Sequence, residues 1–535
     1  EAESYLAPTL RALLPDPFHL RGMAAAAERL AEAVTGGEPV GIFGDYDVDG
    51  ATAAALLQRF MAAVGGRTRI YIPDRMREGY GPNAPALLGL KAEGLRLVVT
   101  VDCGTAAVEP LAAAAKAGLE VVVVDHHAGE PRLPPALAVI NPNRLDEASP
   151  HRQLAAVGVA FLLVVAVNSR LRARGWYRGR VEPDLLQWLD LVALGTVCDV
   201  VPLTGVNRAL VAQGLKVMAR RGNPGLAALA DVARLEERPG AYHLGFVLGP
   251  RVNAGGRVGE ADLGARLLTT GDPAEARALA ERLERHNSER QEIEAAVLAG
   301  AIATVEASPV GGIVFAAAIG WHPGVIGIVA SRLRERYNRP AFVVALEGGE
   351  GKGSGRSVGG IDLGAAVIAA KQAGLLVNGG GHAMAAGLTV AADRLEALRA
   401  FLDARIGREL AERRIMPTLA LDGMLALAGA NRALVDMLER LQPFGAGNAE
   451  PLFAVRDARI AVAEVVGGSH VRCILADAGG ARLKAIAFRS LETPLGRAIL
   501  RKPATPLHLA CRLRADNWSR ADGVQLLIED AAEPH

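Results

Sequence analysis

The chain has 535 residues, of which 50% are hydrophobic and 22% are charged, and its formal net charge is +1. This length is too great for one hydrophobic core and predicts three or four domains. No uninterrupted apolar segment of about 18 residues is present, and no secretory leader is visible, so neither a membrane span nor secretion is expected. The four cysteines form no CxxC pair, which is typical of a reducing compartment, and we expect a cytoplasmic protein.

Strand-like and helix-like segments alternate in the first part of the chain. Residues 1–38 are rich in Ala and Arg and predict a helical extension that docks on the rest of the protein. From residue 40 to about 201, apolar runs such as GIF, TRIYIP, LVVTVD and EVVVVD are separated by Ala- and Leu-rich helical segments. This alternation predicts an α/β domain with a doubly wound parallel sheet. The apolar run 157–167 is too short to span a membrane and predicts a buried helix.

Four apolar runs in this region end in acidic residues or histidines. These residues are Asp45, Asp47 and Asp49 in DYDVDG, Asp102 in VDCGT, Asp125, His126 and His127 in VDHH, and Asp199 in GTVCDVV. Because ligands bind beyond the carboxyl ends of parallel strands, we expect these side chains at one edge of one sheet. Three carboxylates within five residues would repel one another unless a cation lay among them. A solvated acidic loop or a helix cap is the alternative for DYDVDG.

The residue types predict a pair of divalent cations. Two ions about 3.5–4 Å apart can activate a water and hold both oxygens of a phosphoryl centre. The predicted metal ligands are Asp45, Asp47, Asp49, Asp102, His126 and Asp199, with Asp102 as the bridging carboxylate. This carboxylate-rich set favours Mn²⁺ or Mg²⁺ over structural zinc. The predicted catalytic residues are Asp102, His126, His127 and Asp125. His127 either supports the metal ligands or donates to the phosphate, and Asp125 orients the histidines.

The middle of the chain combines helices with Gly-rich segments. Residues 205–270 are expected to be mainly helical, with a Gly-rich loop, PRVNAGGR, whose Arg251, Asn253 and Arg257 can face phosphates. An ordinary polar loop is an equal alternative. Residues 273–303 are dense in Ala, Glu, Arg and Leu and predict one long helix that links two lobes.

A second α/β pattern begins after residue 309. It contains two Gly-rich stretches, residues 348–360 and 378–387, where we expect turns whose backbone amides approach a phosphate. Ser354, Arg356 and His382 supply side-chain donors beside them. Residues 441–453 contain several Pro and Gly residues, as is typical of a domain boundary. The short alternating strands that follow predict a small β-barrel.

The C-terminal region is basic. Between residues 456 and 520 there are 12 Lys and Arg against 5 Asp and Glu, the footprint expected of a protein that binds a phosphate backbone. Trp518 and Phe488 are candidates for stacking on bases. The alternative is that both pack in the core, which is slightly favoured for Phe488. The candidate cations are Arg472, Lys484, Arg489, Arg512 and Arg514.

The motifs are similar to those of a known family. In order and spacing, DYDVDG, VDCGT, VDHH and GTVCDVVPL resemble the four motifs of the DHH phosphoesterases. WHPGVIGIVASRL, GSGRS and GGGHAMAAG resemble the family's C-terminal substrate-binding lobe, the DHHA1 domain. With PRVNAGGR and PFGAGNAEPLF, the resemblance runs from about residue 40 to residue 530 and is closest to the single-strand-specific 5′→3′ DNA exonucleases of the family.

This resemblance implies a domain order and an activity. The implied domains are a helical extension (1–38), a DHH domain (39–270), a linking helix (271–307), a DHHA1-like nucleic-acid-binding domain (308–425) and a single-strand-binding OB-fold (426–535). The implied reaction is hydrolysis of single-stranded DNA with two Mn²⁺ or Mg²⁺ ions, in DNA repair and recombination. The implied partners are single-stranded DNA, a single-strand-binding protein and a helicase, and we expect a monomer that contacts no membrane.

Recognition of the chain end is part of this activity. A terminal phosphate carries more negative charge than an internal one and calls for a compact pocket of cationic and hydroxyl donors. We expect Ser354 and Arg356, with Arg75 or Arg77 across the cleft, to hold the 5′-phosphate, and Tyr80 to stack on a nearby base. The alternative is that Arg75 and Arg77 are solvated loop charges.

Two other functions fit part of the pattern. A phosphodiesterase that acts on short oligonucleotides or cyclic dinucleotides would keep the two metals, but it would not need the basic C-terminal region. A catalytically inactive DNA-binding scaffold would not need the metal ligands, yet every motif is intact.

Overall fold

The computed structural model describes residues 2–75, 77–307, 310–413, 418–502, 505–516 and 523–534. They form two α/β lobes joined by a long helix, followed by a β-barrel. Each of the three parts has its own hydrophobic core. The predicted fold class is confirmed.

Five parallel strands form the sheet of the first lobe, in the order β2-β1-β3-β4-β5. They are β1 (Pro39–Gly44), β2 (Arg67–Tyr71), β3 (Leu97–Val101), β4 (Glu120–Val124) and β5 (Ala138–Ile140). β3 and β4 are rich in Val and buried almost throughout, as is typical of a parallel sheet covered on both faces. The strand order reverses between β1 and β3, and ligands bind beside the carboxyl ends of strands at such a point.

Helices cover this sheet. They are α1 (Ala2–Leu6), α2 (Leu10–Leu13), α3 (Met23–Thr35), α4 (Val48–Ala63), α5 (Ala84–Ala92), α6 (Val108–Lys116), α7 (Ala156–Ala173), α8 (Leu189–Cys198), α9 (Gly205–Met218), α10 (Pro224–Val232), α11 (Ala241–His243), α12 (Gly249–Val258) and α13 (Leu263–Thr269). A π-helical segment, Leu244–Leu248, precedes α12. By length and a mean hydropathy of 1.6, α7 could cross a membrane, but 72% of it is buried inside the lobe, as expected of a core helix. The predicted buried helix is therefore confirmed.

Two local predictions for this lobe are wrong. The apolar run before Asp199 is the helix α8 and not a strand, and Asp199 is its C-cap. Short apolar runs do not distinguish a buried strand from a buried helix, and here packing against α4 and α9 favours the helix. PRVNAGGR lies within α12 and not in a loop. One of its glycines, Gly256, lets this helix pack closely against Tyr46 of DYDVDG.

The linking helix α14 (Pro273–Glu306) has 34 residues, which corresponds to about 50 Å. It begins at Pro273 because the side chain of Asp272 accepts a hydrogen bond from the backbone N–H of Ala274. The N-terminal half of α14 contributes to the core of the first lobe, and its C-terminal half packs against the second lobe. The predicted linking helix is confirmed.

A five-stranded sheet forms the second lobe, in the order β6-β7-β8-β10-β9. The strands are β6 (Val314–Ile319), β7 (Ala341–Glu347), β8 (Glu350–Arg356), β9 (Asn378–His382) and β10 (Ala385–Ala391), and the helices are α15 (Ile326–Tyr337), α16 (Leu363–Gln372) and α17 (Leu395–Arg413). The Gly-rich stretches predicted to be turns are largely the strands β8, β9 and β10. Packing explains some of these glycines, since a Cβ at Gly353 would lie 2.5 Å from Leu388 of β10.

The third part of the chain is a closed barrel. Its strands are β11 (Gly423–Met424), β12 (Phe453–Val466), β13 (His470–Ala476), β14 (Arg482–Ala487), β15 (Leu507–Ala515) and β16 (Val524–Ala532), with the helices α18 (Arg432–Glu439) and α19 (Pro494–Arg501). The 14-residue strand β12 pairs with both β13 and β15 and so closes five of these strands into a barrel. Irregularities in its register between Val455 and Ala458 and between Ile460 and Val462 accompany this double pairing.

Candidate active site

The carboxyl edge of the first sheet gathers the six predicted metal ligands. Strand ends supply Asp45, Asp102 and His126, and helix termini supply Asp47, Asp49 and Asp199. Asp47 is the N-cap of α4 and accepts a hydrogen bond from the backbone N–H of Gly50, so the helix cap considered for DYDVDG is present beside the predicted metal ligands. Parallel strands all end at the same edge, which explains why residues so far apart in sequence meet here. Asp199 reaches this edge from the C-terminus of α8, although its segment is not a strand.

His126 lies at the centre of the cluster. Its Nε2 is 3.3 Å from Asp102 Oδ1 and 3.9 Å from Asp49 Oδ2, and its Nδ1 is 3.5 Å from Asp199 Oδ2. Three groups bring possible ligand atoms within 4.8 Å of one another: Asp45 with Asp47 and Asp102, Asp49 with His126 and Asp199, and Asp102 with His126 and His127. Asp102 belongs to two of these groups, as a carboxylate shared by two ions would.

Burial and like charges raise the pKa values of the carboxyl groups. Burial and the charge of Asp47 raise the pKa of Asp45 and of Asp49 to about 7 each. Burial and the charges of Asp49 and Asp47 raise the pKa of Asp199 to about 9, and similar causes hold the pKa of Asp102 well above its usual range. A divalent cation would reverse this effect by favouring the ionised carboxylates.

The donor set fits hard divalent cations. Burial lowers the pKa of His126 to about 4, so its imidazole is neutral at pH 7 and can donate a lone pair. Within the described part of the chain, His126 Nε2 and Asp199 Oδ2 are buried and make no hydrogen bond. Buried polar atoms nearly always have a partner, and a bound ion would supply one. Carboxylate oxygens with one imidazole suit Mn²⁺ or Mg²⁺.

Asp102 has a constrained backbone. Its φ of 60° lies in the left-handed region, which costs a non-glycine residue on the order of 1–3 kcal/mol. The backbone N–H of Asp102 donates to Val124 O, and its carbonyl accepts from the hydroxyl of Tyr80 at 2.9 Å. The Tyr80 side chain is otherwise half-exposed. The Tyr80 hydroxyl thus contacts the metal-ligand cluster. Stacking of the Tyr80 ring on a base stays a prediction.

Asp125 and two asparagines hold the Asp-His-His turn. Asp125 accepts from the backbone N–H groups of Thr105, His126 and His127 and lies 2.7 Å from His127 Nδ1. Burial disfavours the ionised form, but these bonds and the charge of His127 outweigh it and hold the pKa of Asp125 well below its usual range. These are the contacts of an orienting residue.

The asparagines were not predicted from the sequence. Asn141 Nδ2 donates to His127 O, and Asn143 Nδ2 donates to His126 O. Both follow β5 in the segment INPN, so polar residues at the end of the next strand were the available signal.

Arginines from both lobes converge beside the metal ligands. Burial lowers the pKa of Arg356, and so does repulsion from Arg257, Arg75 and Arg334. Arg356 Nη1 donates to Ser354 Oγ at 2.9 Å, and Arg257 Nη1 donates to Gly324 O at 3.0 Å. Guanidinium groups that repel one another in this way would suit an anion, since a phosphate would relieve the repulsion. Arg334, on α15, was not predicted from the sequence.

The other candidate residues of the two lobes differ in exposure and in the contacts that they already make. The Arg77 side chain is 87% exposed and lies 3.8 Å from Asp74. Arg251 pairs with Glu284 of α14 at 2.5 Å, which leaves less of its guanidinium for a phosphate. Asn253 Oδ1 is buried without a partner among the described residues. His382 is exposed at the end of β9.

Ion pairs neutralise much of the basic charge of the barrel. Arg472 pairs with Glu464, Lys484 with Asp516, Arg512 with Glu450 and Glu529, and Arg514 with Glu450. Glu450 and Glu529 lie outside the segment whose composition is basic. These exposed ion pairs contribute little to stability, and DNA phosphates can replace the carboxylates in them. DNA binding by these cations stays a prediction.

The two candidate aromatic residues of the barrel differ in what the structure describes. Phe488 is 54% exposed, so the core position favoured for it is wrong. Trp518 lies outside the described residues.

Three family models match the chain. They are the DHH family, N-terminal domain, at residues 39–196, the DHHA1 domain at residues 311–408 and the RecJ OB domain at residues 421–530. The chain is 38% identical over 537 residues to the single-stranded-DNA-specific exonuclease RecJ of Dickeya dadantii, with 97% of this chain and 92% of the relative covered. It is 37% identical over 491 residues to the Escherichia coli protein of the same name, with 89% and 85% covered.

A solved structure extends this similarity to three dimensions. The crystal structure of RecJ in complex with Mn²⁺ from Thermus thermophilus matches with a TM-score of 0.81 and 33% identity, covering 100% of this chain and 74% of that chain. The resemblance predicted from the motifs is confirmed. The chain therefore belongs to the RecJ family of DHH phosphoesterases.

Proposed function

We propose that the chain is a metal-dependent exonuclease that degrades single-stranded DNA in the 5′→3′ direction and acts in DNA repair and recombination. One observation carries this proposal: five buried or half-buried carboxylates around one neutral imidazole lie beside arginines that converge from two lobes. The first group suits divalent cations and the second suits a phosphate. The relatives named as single-stranded-DNA-specific exonucleases, and the Mn²⁺ complex among them, support the same activity.

The residues of the cluster have distinct roles in this proposal. Asp45, Asp47, Asp49, Asp102, His126 and Asp199 would hold two Mn²⁺ or Mg²⁺ ions, with Asp102 between them. When bound, such ions supply a nucleophilic water at neutral pH and polarise the phosphoryl oxygens. His127, which is 40% exposed and hydrogen-bonded to Asp125, is oriented to donate to a phosphate oxygen. Burial lowers the pKa of His127, but the bond to Asp125 and nearby carboxylates outweigh it and raise the pKa, which favours the donating form.

The arginine cluster recognises the 5′ end in this proposal. Ser354 and Arg356 belong to the second lobe, and Arg75 and Arg257 belong to the first. The repulsion between the guanidinium groups of the three arginines supports one shared anion. We favour Arg75 over Arg77 for this role, because the Arg77 side chain is 87% exposed and lies 3.8 Å from Asp74. A terminal phosphate suits this pocket best because it carries the most negative charge.

The proposed activity also assigns roles to the domains and implies partners for the chain. The domains are taken as residues 1–38, 39–270, 271–307, 308–425 and 426–535, and the last of these binds single strands through Arg472, Lys484, Arg512 and Trp518. We expect a cytoplasmic monomer that works with a single-strand-binding protein and a helicase.

The proposal is tested by incubating the protein and Asp102→Ala with Mn²⁺ and single-stranded DNA that carries an internal label. The expected result is mononucleotide release from the 5′ end by the wild type and no release by the variant. Release from the 3′ end, or cleavage restricted to dinucleotides, would contradict the proposal and favour the short-oligonucleotide phosphodiesterase. Binding without cleavage would indicate the inactive scaffold.

A further inference from the structure

Tyr46 lies between two proposed metal ligands in the sequence, and its side chain contacts Arg75 and α12. It occupies the central position of Asp45-Tyr46-Asp47 and is only 4% exposed. Its hydroxyl accepts a hydrogen bond from Arg75 Nη1 at 2.6 Å, and the Arg75 guanidinium carbon lies 5.4 Å from the centre of its ring. Tyr46 therefore connects the metal-binding loop with an arginine of the phosphate cluster.

The ring of Tyr46 is fixed from its other side by α12. A Cβ at Gly256 would lie 1.9 Å from Tyr46 Cδ2, so that no other residue fits there without displacing the ring. The next residue, Arg257, donates to Gly324 O of the second lobe. The position of Tyr46 is thus set by the same helix that places Arg257.

Arg75 needs such an anchor. It lies in the segment after β2, in which Arg77 lies beside Asp74 and has a side chain that is 87% exposed. An arginine that must be ordered when the phosphate arrives loses rotamer entropy at that moment. The bond to Tyr46 uses one of the five N–H donors of Arg75 and leaves the others for a ligand.

We propose that Tyr46 is a positioning residue for the 5′-phosphate, and this inference rests on the proposed function of the arginine cluster. The Tyr46 hydroxyl holds Arg75 on the first lobe in the way that the Ser354 hydroxyl holds Arg356 on the second. Each arginine is bound through Nη1, which leaves its other donors for a phosphate. The two pre-ordered guanidinium groups select a terminal phosphate over a 5′-hydroxyl.

The test compares the wild type with Tyr46→Phe, Arg75→Ala and the double variant. The readout is the ratio of kcat/KM for 5′-phosphorylated strands to kcat/KM for 5′-hydroxyl strands. Tyr46→Phe should lower this ratio by about three- to tenfold, mainly through KM. It should have no further effect in the Arg75→Ala background, because the hydroxyl acts only through Arg75. Tyr177→Phe, which removes a hydroxyl bonded to Asn168 elsewhere in the lobe, is the matched control and should keep the wild-type ratio.

A second readout does not depend on hydrolysis. In EDTA, the anisotropy of a labelled oligonucleotide should show the same loss of preference for the 5′-phosphate in Tyr46→Phe. If Arg75→Ala lowers the ratio and Tyr46→Phe does not, the inference about Tyr46 is wrong and the proposed phosphate site remains. If Arg75→Ala keeps the wild-type ratio, the proposed role of Arg75 in the phosphate site fails, and the inference fails with it.

Discussion

Asp49 Oδ2 accepts a hydrogen bond from the backbone N–H of Ala156 at 2.6 Å, across 107 positions of sequence. Its Oδ1 accepts from the next N–H, that of Val157, at 2.8 Å. These are the first N–H groups of α7, whose own N-cap, Ala155, has no side-chain acceptor. Asp49 therefore caps a buried helix in addition to being a proposed metal ligand.

This double role predicts an unusual effect on stability. In EDTA, Asp49→Ala should lower the free energy of unfolding of the first lobe by about 1–3 kcal/mol, because it leaves buried N–H groups without an acceptor. Asp199→Asn removes a repelling charge without breaking a cap and should not destabilise the metal-free protein. Thermal unfolding of both variants measures the difference. Equal midpoints would show that Asp49 contributes nothing to α7.

The metal-free protein should lose stability as the pH rises from 7 to 9. The pKa of Asp199 is about 9 in the folded protein and about 3.8 ordinarily, so the folded state binds more protons in this range. A group with a raised pKa contributes stability that disappears as the pH approaches the folded value. Asp102, whose pKa is also raised, changes stability in the same direction.

Thermal unfolding in EDTA at pH 7 and pH 9 checks this prediction. With Mg²⁺ in place of EDTA the loss should be smaller, since the cation favours the ionised carboxylates. Asp199→Asn should reduce the slope in EDTA. A metal-free midpoint that rises with pH would contradict the assigned directions.

Arg356→Ala should reduce the preference for a 5′-phosphate. Its guanidinium is held by Ser354 and lies among three other arginines, so its loss removes donors from the centre of the cluster. Degradation of 5′-phosphorylated strands should slow about tenfold more than degradation of 5′-hydroxyl strands. Arg77→Ala is the matched control, because its side chain is 87% exposed and lies beside Asp74. An equal loss on both substrates would mean that Arg356 binds the backbone generally.

Arg208 should fix the segment that leads into the barrel. It is 2% exposed, and its guanidinium donates to Tyr5 O at 2.8 Å and to Leu441 O and Gln442 O at 2.9 and 2.8 Å. Arg208→Ala should destabilise this contact by on the order of 3 kcal/mol and make the segment near residue 441 sensitive to protease. Lysine should rescue it only in part, since it lacks the fixed fork of donors. Lys216→Ala, an exposed change on the same helix, should leave proteolysis as in the wild type.

The sequence by itself determined the parallel sheet, the long helix, the barrel and the group of residues that could bind metal. These features depend on local patterns: Val-rich runs form β3 and β4, and residues that follow parallel strands must meet at one edge. Asp45, Asp47, Asp102 and His126 were found for this reason. The family motifs added the order of the lobes.

Only the tertiary structure decided how distant residues pair. It showed that Asp199 reaches the metal ligands from a helix and that Arg75, but not Arg77, has a partner in Tyr46. It also showed that Glu450 and Glu529 neutralise arginines of a segment that is basic by composition. Such pairings depend on the direction of each side chain and on the distance between elements. Tertiary packing sets both the direction of a side chain and the distance between elements. The periodicity of the sequence therefore carries no information about these two quantities.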